Sequence, residues 1–237
     1  MVKGKDVIGR SSELDAERSS RADIEAFLRK AATVAPSAGR GRLVFALDAT
    51  MSRQPTWDIA CELQAGMFDA AGVVGGLSVQ LVYFRGIGES RASPWVADPE
   101  RLRDLMTRIQ VRGGHTQIAK ILQHVWREAE AHPIAALAYV GDAMEEGVDR
   151  LCQLAGEIGL LGVKAFMFHE GRDPIAEKAF REIARITDGA YLPFNADSAS
   201  ELRMLLAAVA TYAAGGLKAL QASPDAGARL LLGHMRR

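Results

Sequence analysis

From Leu43 onward, short apolar runs alternate with amphipathic helical patterns, and this alternation strongly limits the possible folds. Several runs are apolar on both alternating faces, which is typical of strands covered by helices on both sides. Between them, apolar residues recur at helical spacing, as at Ile118, Ile121, Leu122 and Val125. The predicted strands are Leu43–Leu47, Leu77–Phe84, a weaker one near Glu89–Val96, Ile134–Val140, Val163–Phe168 and Ala190–Phe194.

Such an alternation predicts an α/β fold of the doubly wound, Rossmann-like kind with right-handed crossovers. We expect a mostly parallel sheet in the order 3-2-1-4-5-6, with one antiparallel edge strand and helices on both faces. In an open sheet of this kind, ligands bind outside the carboxyl ends of the strands, where the strand order reverses. The ligand-binding crevice is therefore expected between the first and fourth strands.

The chain is expected to form one α/β domain with a short extension at each end. Residues 1–40 are predicted to be a helical extension and linker, with one helix at Ala22–Thr33, and residues 41–215 form the α/β domain. Residues 216–237 are predicted to be a tail that follows a helix stop at Gly215-Gly216. The apolar run Leu230–Leu232 predicts that the tail packs on its own domain, with self-association as the alternative.

Composition excludes several classes of partner. The 237 residues include 29 Lys and Arg and 29 Asp and Glu, so no overall field favours nucleic acid or an acidic membrane. No apolar run is long enough to predict a membrane span, and no secretory signal is expected at the N-terminus. Cys61 and Cys152 lie in apolar helical patterns, which predicts buried free thiols and no disulfide. We therefore expect a cytoplasmic protein.

Side chains with oxygen atoms follow the first predicted strand at a spacing of two: Asp48, Thr50 and Ser52. Mg²⁺ prefers an octahedron of oxygen ligands, keeps several of its waters and is usually held by one or two protein carboxylates. Mn²⁺ accepts the same set of ligands. Because hydroxyl groups are neutral, an ion held in this loop would remain ready to bind an anionic group from another molecule.

Two later loops are predicted to reach the same crevice. In Arg112–Thr116 the glycines allow a sharp turn, and Thr116 is expected to be the N-cap of the next helix. Asp142 follows the fourth strand, and Glu145 and Glu146 are expected in the first turn of the helix after it. The predicted metal ligands are therefore Asp48, Thr50, Ser52, Thr116 and Asp142.

These three segments, in this order, resemble the von Willebrand factor A family, whose metal-ion-dependent adhesion site joins an Asp-x-Ser-x-Ser loop, a Thr and an Asp. The resemblance covers about Leu43 to Ala214, including Ile183–Tyr191, which is similar to the family's last helix-to-strand passage. It implies a Mg²⁺ site in which hydroxyls bind directly, aspartates bind directly or through water, and a partner's Glu or Asp fills the open position. The chain departs from the pattern at Thr50, which replaces Ser, and at Gly141-Asp142, which reverses the commoner order.

Residues near the predicted site could contact that partner. Arg53 and Arg112 are placed to meet an acidic loop, His115 could lie near the metal, and His169 follows the fifth strand. For each of them the alternative is an ordinary solvated surface residue. Intracellular bacterial members of the family look like adaptors for ATPase, chelatase or stress-response machinery. The resemblance therefore implies a metal-dependent adaptor that is not an enzyme.

Two other functions fit the same crevice. Rossmann-like phosphatases also hold Mg²⁺ beside an Asp at the end of the first strand, but their motif looks like Asp-x-Asp-x-Thr. Its second Asp supplies acid and base catalysis, and Thr50 takes that position here. The remaining alternative is a scaffold with a degenerate metal site, acting through the N-terminal helix and the C-terminal tail.

Overall fold

The computed structural model describes residues 40–50, 58, 60, 62, 65–195 and 198–235. The predicted N-terminal helix Ala22–Thr33 and Cys61 lie outside the described residues. A six-stranded sheet has the order β3-β2-β1-β4-β5-β6, parallel throughout except for the antiparallel edge strand β3, so the predicted fold and strand order are confirmed. The strands are β1 Gly41–Asp48, β2 Leu77–Arg85, β3 Glu89–Ala92, β4 Ala136–Gly141, β5 Lys164–Glu170 and β6 Ala190–Phe194.

β1 lies in the middle of the sheet, between β2 and β4, and is buried on both faces. Its alternate residues enter two separate apolar clusters: Leu43, Phe45 and Leu47 face one, whereas Val44 and Ala46 face the other. Each face of the strand therefore removes apolar surface from water, which explains why the run is apolar at every position.

Helices form a layer on each face of the sheet. Two of them begin with an Asp cap followed by proline, at Asp98-Pro99 and Asp173-Pro174, where the aspartate accepts hydrogen bonds from the first turn. One layer shares a cluster with Leu43 and contains α1 Ala65–Gly72, α2 Pro99–Thr107, α6 Ala199–Ala222 and α7 Ala226–Met235. The other layer contains α3 Ile118–Ala131, α4 Val148–Leu160 and α5 Pro174–Ile186.

The helical conformation of α6 is interrupted at Gly216, which has a φ of 69° and a ψ of −168°, so the helix stop predicted at Gly215-Gly216 agrees with the structure. A second helical segment then continues to Ala222, and its Leu220 is buried. Among the described residues, one helix, α6, has the length and apolar composition that crossing a membrane requires. The core helix of a folded domain passes the same test. Leu202 and Val209 of α6 are buried in the core.

The C-terminal helix α7 packs against its own domain. Ala228 and Leu231 are buried in the cluster that also contains the inner face of α6. The two helices approach closely at Gly227, where an added Cβ would lie 2.3 Å from the backbone oxygen of Met204. Cys152 of α4 is a free, half-buried thiol, and burial raises its pKa.

Candidate metal centre

A cleft opens at the carboxyl ends of β1 and β4, which are neighbours in the sheet. Asp48 is the last residue of β1, and Asp142 directly follows β4. The cleft has a volume of about 240 Å³. It is lined by Asp48, Thr50, Gly113, Gly114, Thr116, Asp142, Ala143 and Glu145.

The first loop holds its carboxylate inside the protein. Asp48 is only 2% exposed, and its Oδ1 accepts a hydrogen bond of 2.8 Å from the backbone N–H of Thr50. The N–H of Ala49 donates to the carbonyl of Phe84 in β2, at 2.9 Å. These contacts fix the turn in which Thr50, itself buried, follows the strand into the cleft.

The second loop is joined to the first through its backbone, because the N–H of Arg112 donates to the carbonyl of Ala49 at 3.0 Å. A glycine is required at position 114 because the loop passes close to the backbone of Gly86, whose oxygen would lie 2.2 Å from an added Cβ. Thr116, at the end of this loop, lines the cleft, and only 8% of its side-chain and backbone surface is exposed.

The third loop carries Asp142, which is half-buried, after Gly141. A Cβ at Gly141 would lie 2.6 Å from the hydroxyl oxygen of Tyr139, a fully buried side chain. The glycine therefore precedes the aspartate because the core leaves no room for a side chain there. This contact gives a physical reason for the Gly-Asp order that distinguishes the chain from the usual pattern.

Glu145, which the sequence did not identify as a cleft residue, connects the third loop to the second. Its backbone N–H donates to Thr116 Oγ1 at 3.0 Å, and its Oε2 accepts from the Thr116 N–H at 3.1 Å. The same carboxylate oxygen is 3.0 Å from His115 Nδ1. The Thr116 N–H and then the His115 ring lower the pKa of the Glu145 carboxyl, which keeps it charged.

Glu146, and not Thr116, caps the N-terminus of helix α3. Helix α3 has Gln117 at its N-cap position without a side-chain cap, so the prediction for Thr116 was wrong. Glu146 instead accepts hydrogen bonds from the N–H groups of Ile118 and Ala119 at the start of the helix. Glu145 and Glu146 do not lie in the first turn of the next helix either, because α4 begins at residue 148.

The four residues predicted as partner contacts have different positions. Arg112 and His115 are exposed beside the cleft. The prediction for His169 was wrong: it is the penultimate residue of β5, is fully buried, and its Nδ1 is 2.8 Å from the Tyr191 hydroxyl. A side chain inside the core cannot contact a partner at the surface. Arg53 and the predicted ligand Ser52 lie outside the described residues.

The chemistry of the cleft fits a hard divalent cation. In the part of the chain that the structure describes, no group of three or more His, Cys, Asp or Glu side chains is placed to hold a metal ion. The cleft instead combines the carboxylates of Asp48 and Asp142 with the hydroxyls of Thr50 and Thr116. No Lys or Arg lines it among the described residues. That Mg²⁺ binds there stays a prediction.

Comparisons with known proteins identify the architecture. No family model matches the sequence, and no curated protein matches it. Among solved structures, the SpRpn10 VWA domain is 13% identical with a TM-score of 0.54, over 69% of this chain and 95% of that one. The fold is that of a von Willebrand factor A (VWA) domain. At this identity the likeness shows the VWA fold alone.

Other solved structures with similar folds come from different settings. An aerotolerance-related membrane protein from Bacteroides fragilis, carrying multiple mutations to serine, is 16% identical with a TM-score of 0.53, over 69% of this chain and 94% of that one. Proximal thread matrix protein 1 of the mussel byssus is 13% identical with a TM-score of 0.59, over 73% of this chain and 46% of that one. The VWA fold thus occurs in proteins of varied roles, so function has to be argued from the cleft.

Proposed function

We propose that this chain is a metal-dependent adaptor that binds a protein partner through Mg²⁺, or Mn²⁺, in the cleft between β1 and β4. The observation that supports it is the meeting of three loops, far apart in the sequence, whose oxygen atoms line one small cavity. Helix caps alone would account for each loop separately but give no reason for all three to meet there. The proposed ligands are Asp48, Thr50, Thr116 and Asp142, with Ser52 added from the sequence motif.

The residues of the cleft would supply different kinds of ligand to the ion. Asp48 would supply a charged ligand oxygen in a site that water reaches poorly, where electrostatic attraction is strong. Thr50 and Thr116 would supply neutral oxygens, and Asp142 would supply a second carboxylate directly or through a water. Two carboxylates and neutral hydroxyls allow a further anionic ligand, so an Asp or Glu of the partner would complete the coordination.

The contacts around the cleft support a rigid site with an exposed entrance. Glu145 holds the Thr116 loop through two hydrogen bonds, and Glu146 holds the start of α3 next to it. Arg112 and His115 are exposed beside the entrance and are suited to an acidic partner segment. We place the adaptor in a bacterial cytoplasm, with an ATPase or stress-response complex as the class of partner. Self-association through the tail is less favoured because Leu231 of α7 is buried.

Thermal unfolding in EDTA, Mg²⁺ and Mn²⁺ tests the proposal before any partner is known. At a hundredfold excess over its Kd, a metal that binds only the folded state adds about 2.7 kcal/mol of stability. For a chain of this size that is a rise in Tm of roughly 5–10 °C. Asp48→Asn should abolish the rise because it removes the ligand charge while preserving the shape of the side chain.

A matched control separates loss of the site from a general change in charge. Asp149→Asn removes an exposed carboxylate from the first turn of α4, outside the cleft, and should keep the full metal-dependent rise. An equal rise in Asp48→Asn and wild type would contradict the proposed ligand set. Metal-dependent hydrolysis of a phosphate ester that is lost in Asp48→Asn would favour the phosphatase alternative instead.

A further inference from the structure

A second polar groove lies between the edge strand β3 and helix α3 and shares no lining residue with the metal centre. Its volume is about 340 Å³, within the range of roughly 300–1,000 Å³ that is usual for small-molecule sites. Three cationic side chains line it: Arg91 from β3, and Lys120 and Arg127, which lie about two turns apart on the same side of α3. Because the whole chain has a formal net charge of zero, this is a local concentration of positive charge.

No carboxylate lines the groove among the described residues. Glu89, on the same strand as Arg91, accepts two hydrogen bonds of 3.0 Å from Arg85 and forms a longer ion pair with Arg91 Nε at 3.9 Å. Glu128 accepts from Trp95 Nε1 at 2.9 Å. Arg127 has no carboxylate within ion-pair distance in the described parts of the chain. The charge of Arg127 is thus left for a ligand to neutralise, and that of Arg91 is only partly offset by its long contact with Glu89.

Hydrogen bonds hold part of the groove in a fixed arrangement. Lys120 Nζ donates to the carbonyl of Gly88 at 2.8 Å and to Gln117 Oε1 at 2.9 Å, which leaves one of its three N–H groups for a ligand. His124 Nε2 is 2.8 Å from Gln80 Oε1, and the amide of Gln80 donates to the Ser93 carbonyl. Groups fixed before binding lose less conformational entropy when a ligand arrives.

We propose that this groove binds a compact oligophosphate, either free or as the phosphate chain of a nucleotide. Arg91 and Arg127 would each present a planar pair of N–H donors to phosphate oxygens, and Lys120 would act as a fixed point charge. An oligophosphate concentrates several negative charges within one small cavity. An extended acidic peptide spaces its same-face carboxylates about 6.6 Å apart and therefore matches the groove less well.

Binding of tripolyphosphate, followed by calorimetry at low salt, tests this inference directly. EDTA is kept in the buffer so that the metal centre stays empty and the outcome is independent of the proposed adaptor function. Arg91→Gln and Arg127→Gln should each weaken binding by about tenfold or more, since each removes charge-assisted hydrogen bonds. Both side chains are exposed, so these variants should fold, and circular dichroism checks that they do.

Arg103→Gln serves as the matched control because Arg103 is an exposed arginine on α2, away from the groove. It should leave the affinity unchanged. Equal affinity for ATP and tripolyphosphate would support a free oligophosphate, and tighter binding of ATP would support a nucleotide. Absence of binding, equal effects of all three substitutions, or tighter binding of hexaglutamate than of tripolyphosphate would each overturn the proposal.

Discussion

Removing the Glu146 carboxylate should destabilise the whole domain, because this side chain caps a helix that begins 28 residues earlier in the sequence. In Glu146→Ala the N–H groups of Ile118 and Ala119 lose a charged acceptor. Hydrogen bonds to charged groups contribute about 1.5–3 kcal/mol each. Because the site is half-buried, water can replace part of the lost hydrogen bonding. Loss of a helix cap usually costs about 0.5–2 kcal/mol. We therefore expect a loss of about 2 kcal/mol.

For a domain of this size, that loss lowers the Tm by roughly 4–8 °C, which differential scanning calorimetry resolves easily. Glu146→Gln keeps one acceptor oxygen and should lose about half as much. Glu130→Ala removes an exposed glutamate from the last turn of the same helix, where a negative charge is unfavourable, and should not lower the Tm. If Glu146→Ala and Glu130→Ala melted at the same temperature, Glu146 would not stabilise α3.

Three further substitutions test other contacts. Gly114→Ala places a Cβ against backbone and should cost about 1–3 kcal/mol in a melting experiment, whereas Gly113→Ala, with open space around it, should cost far less. Leu231→Ala should cost about 2–5 kcal/mol if α7 belongs to the core, and the half-exposed Leu217→Ala about 0.5 kcal/mol or less; equal urea midpoints would refute the docking of α7. Burial lowers the pKa of His169 in the folded protein. The neutral side chain therefore contributes fully to stability above about pH 6.5, and this contribution is lost as the pH falls through the folded-state pKa. Urea unfolding should show the free energy of unfolding falling between about pH 7.5 and pH 5, and His169→Asn should remove this pH dependence.

The sequence predicted the architecture well because the central strands β1 and β4 are buried on both faces. In β1 every residue from Leu43 to Leu47 is apolar and buried, so the pattern of side chains fixes the strand without knowledge of its neighbours. The bounds of β6, Ala190–Phe194, agree with the prediction, although this strand lies at the edge of the sheet and its Pro193 is exposed. The helix stop predicted at Gly215-Gly216 agrees with the interruption at Gly216, because glycine readily adopts the positive φ found there; the second helical segment beyond it, with Leu220 buried, was not predicted.

The sequence by itself determined which oxygen-bearing side chains follow which strands, and strand order then brought Asp48, Thr50, Thr116 and Asp142 to one cleft. Only the tertiary structure decided how that cleft is held together. The contact between Glu145 and Thr116 joins loops 29 residues apart, and no local periodicity encodes such a pairing. Burial of His169 was likewise invisible, because a polar residue near the end of a strand is covered or exposed according to what packs over it. Local patterns specify secondary structure, whereas contacts between distant loops depend on the geometry of the assembled sheet.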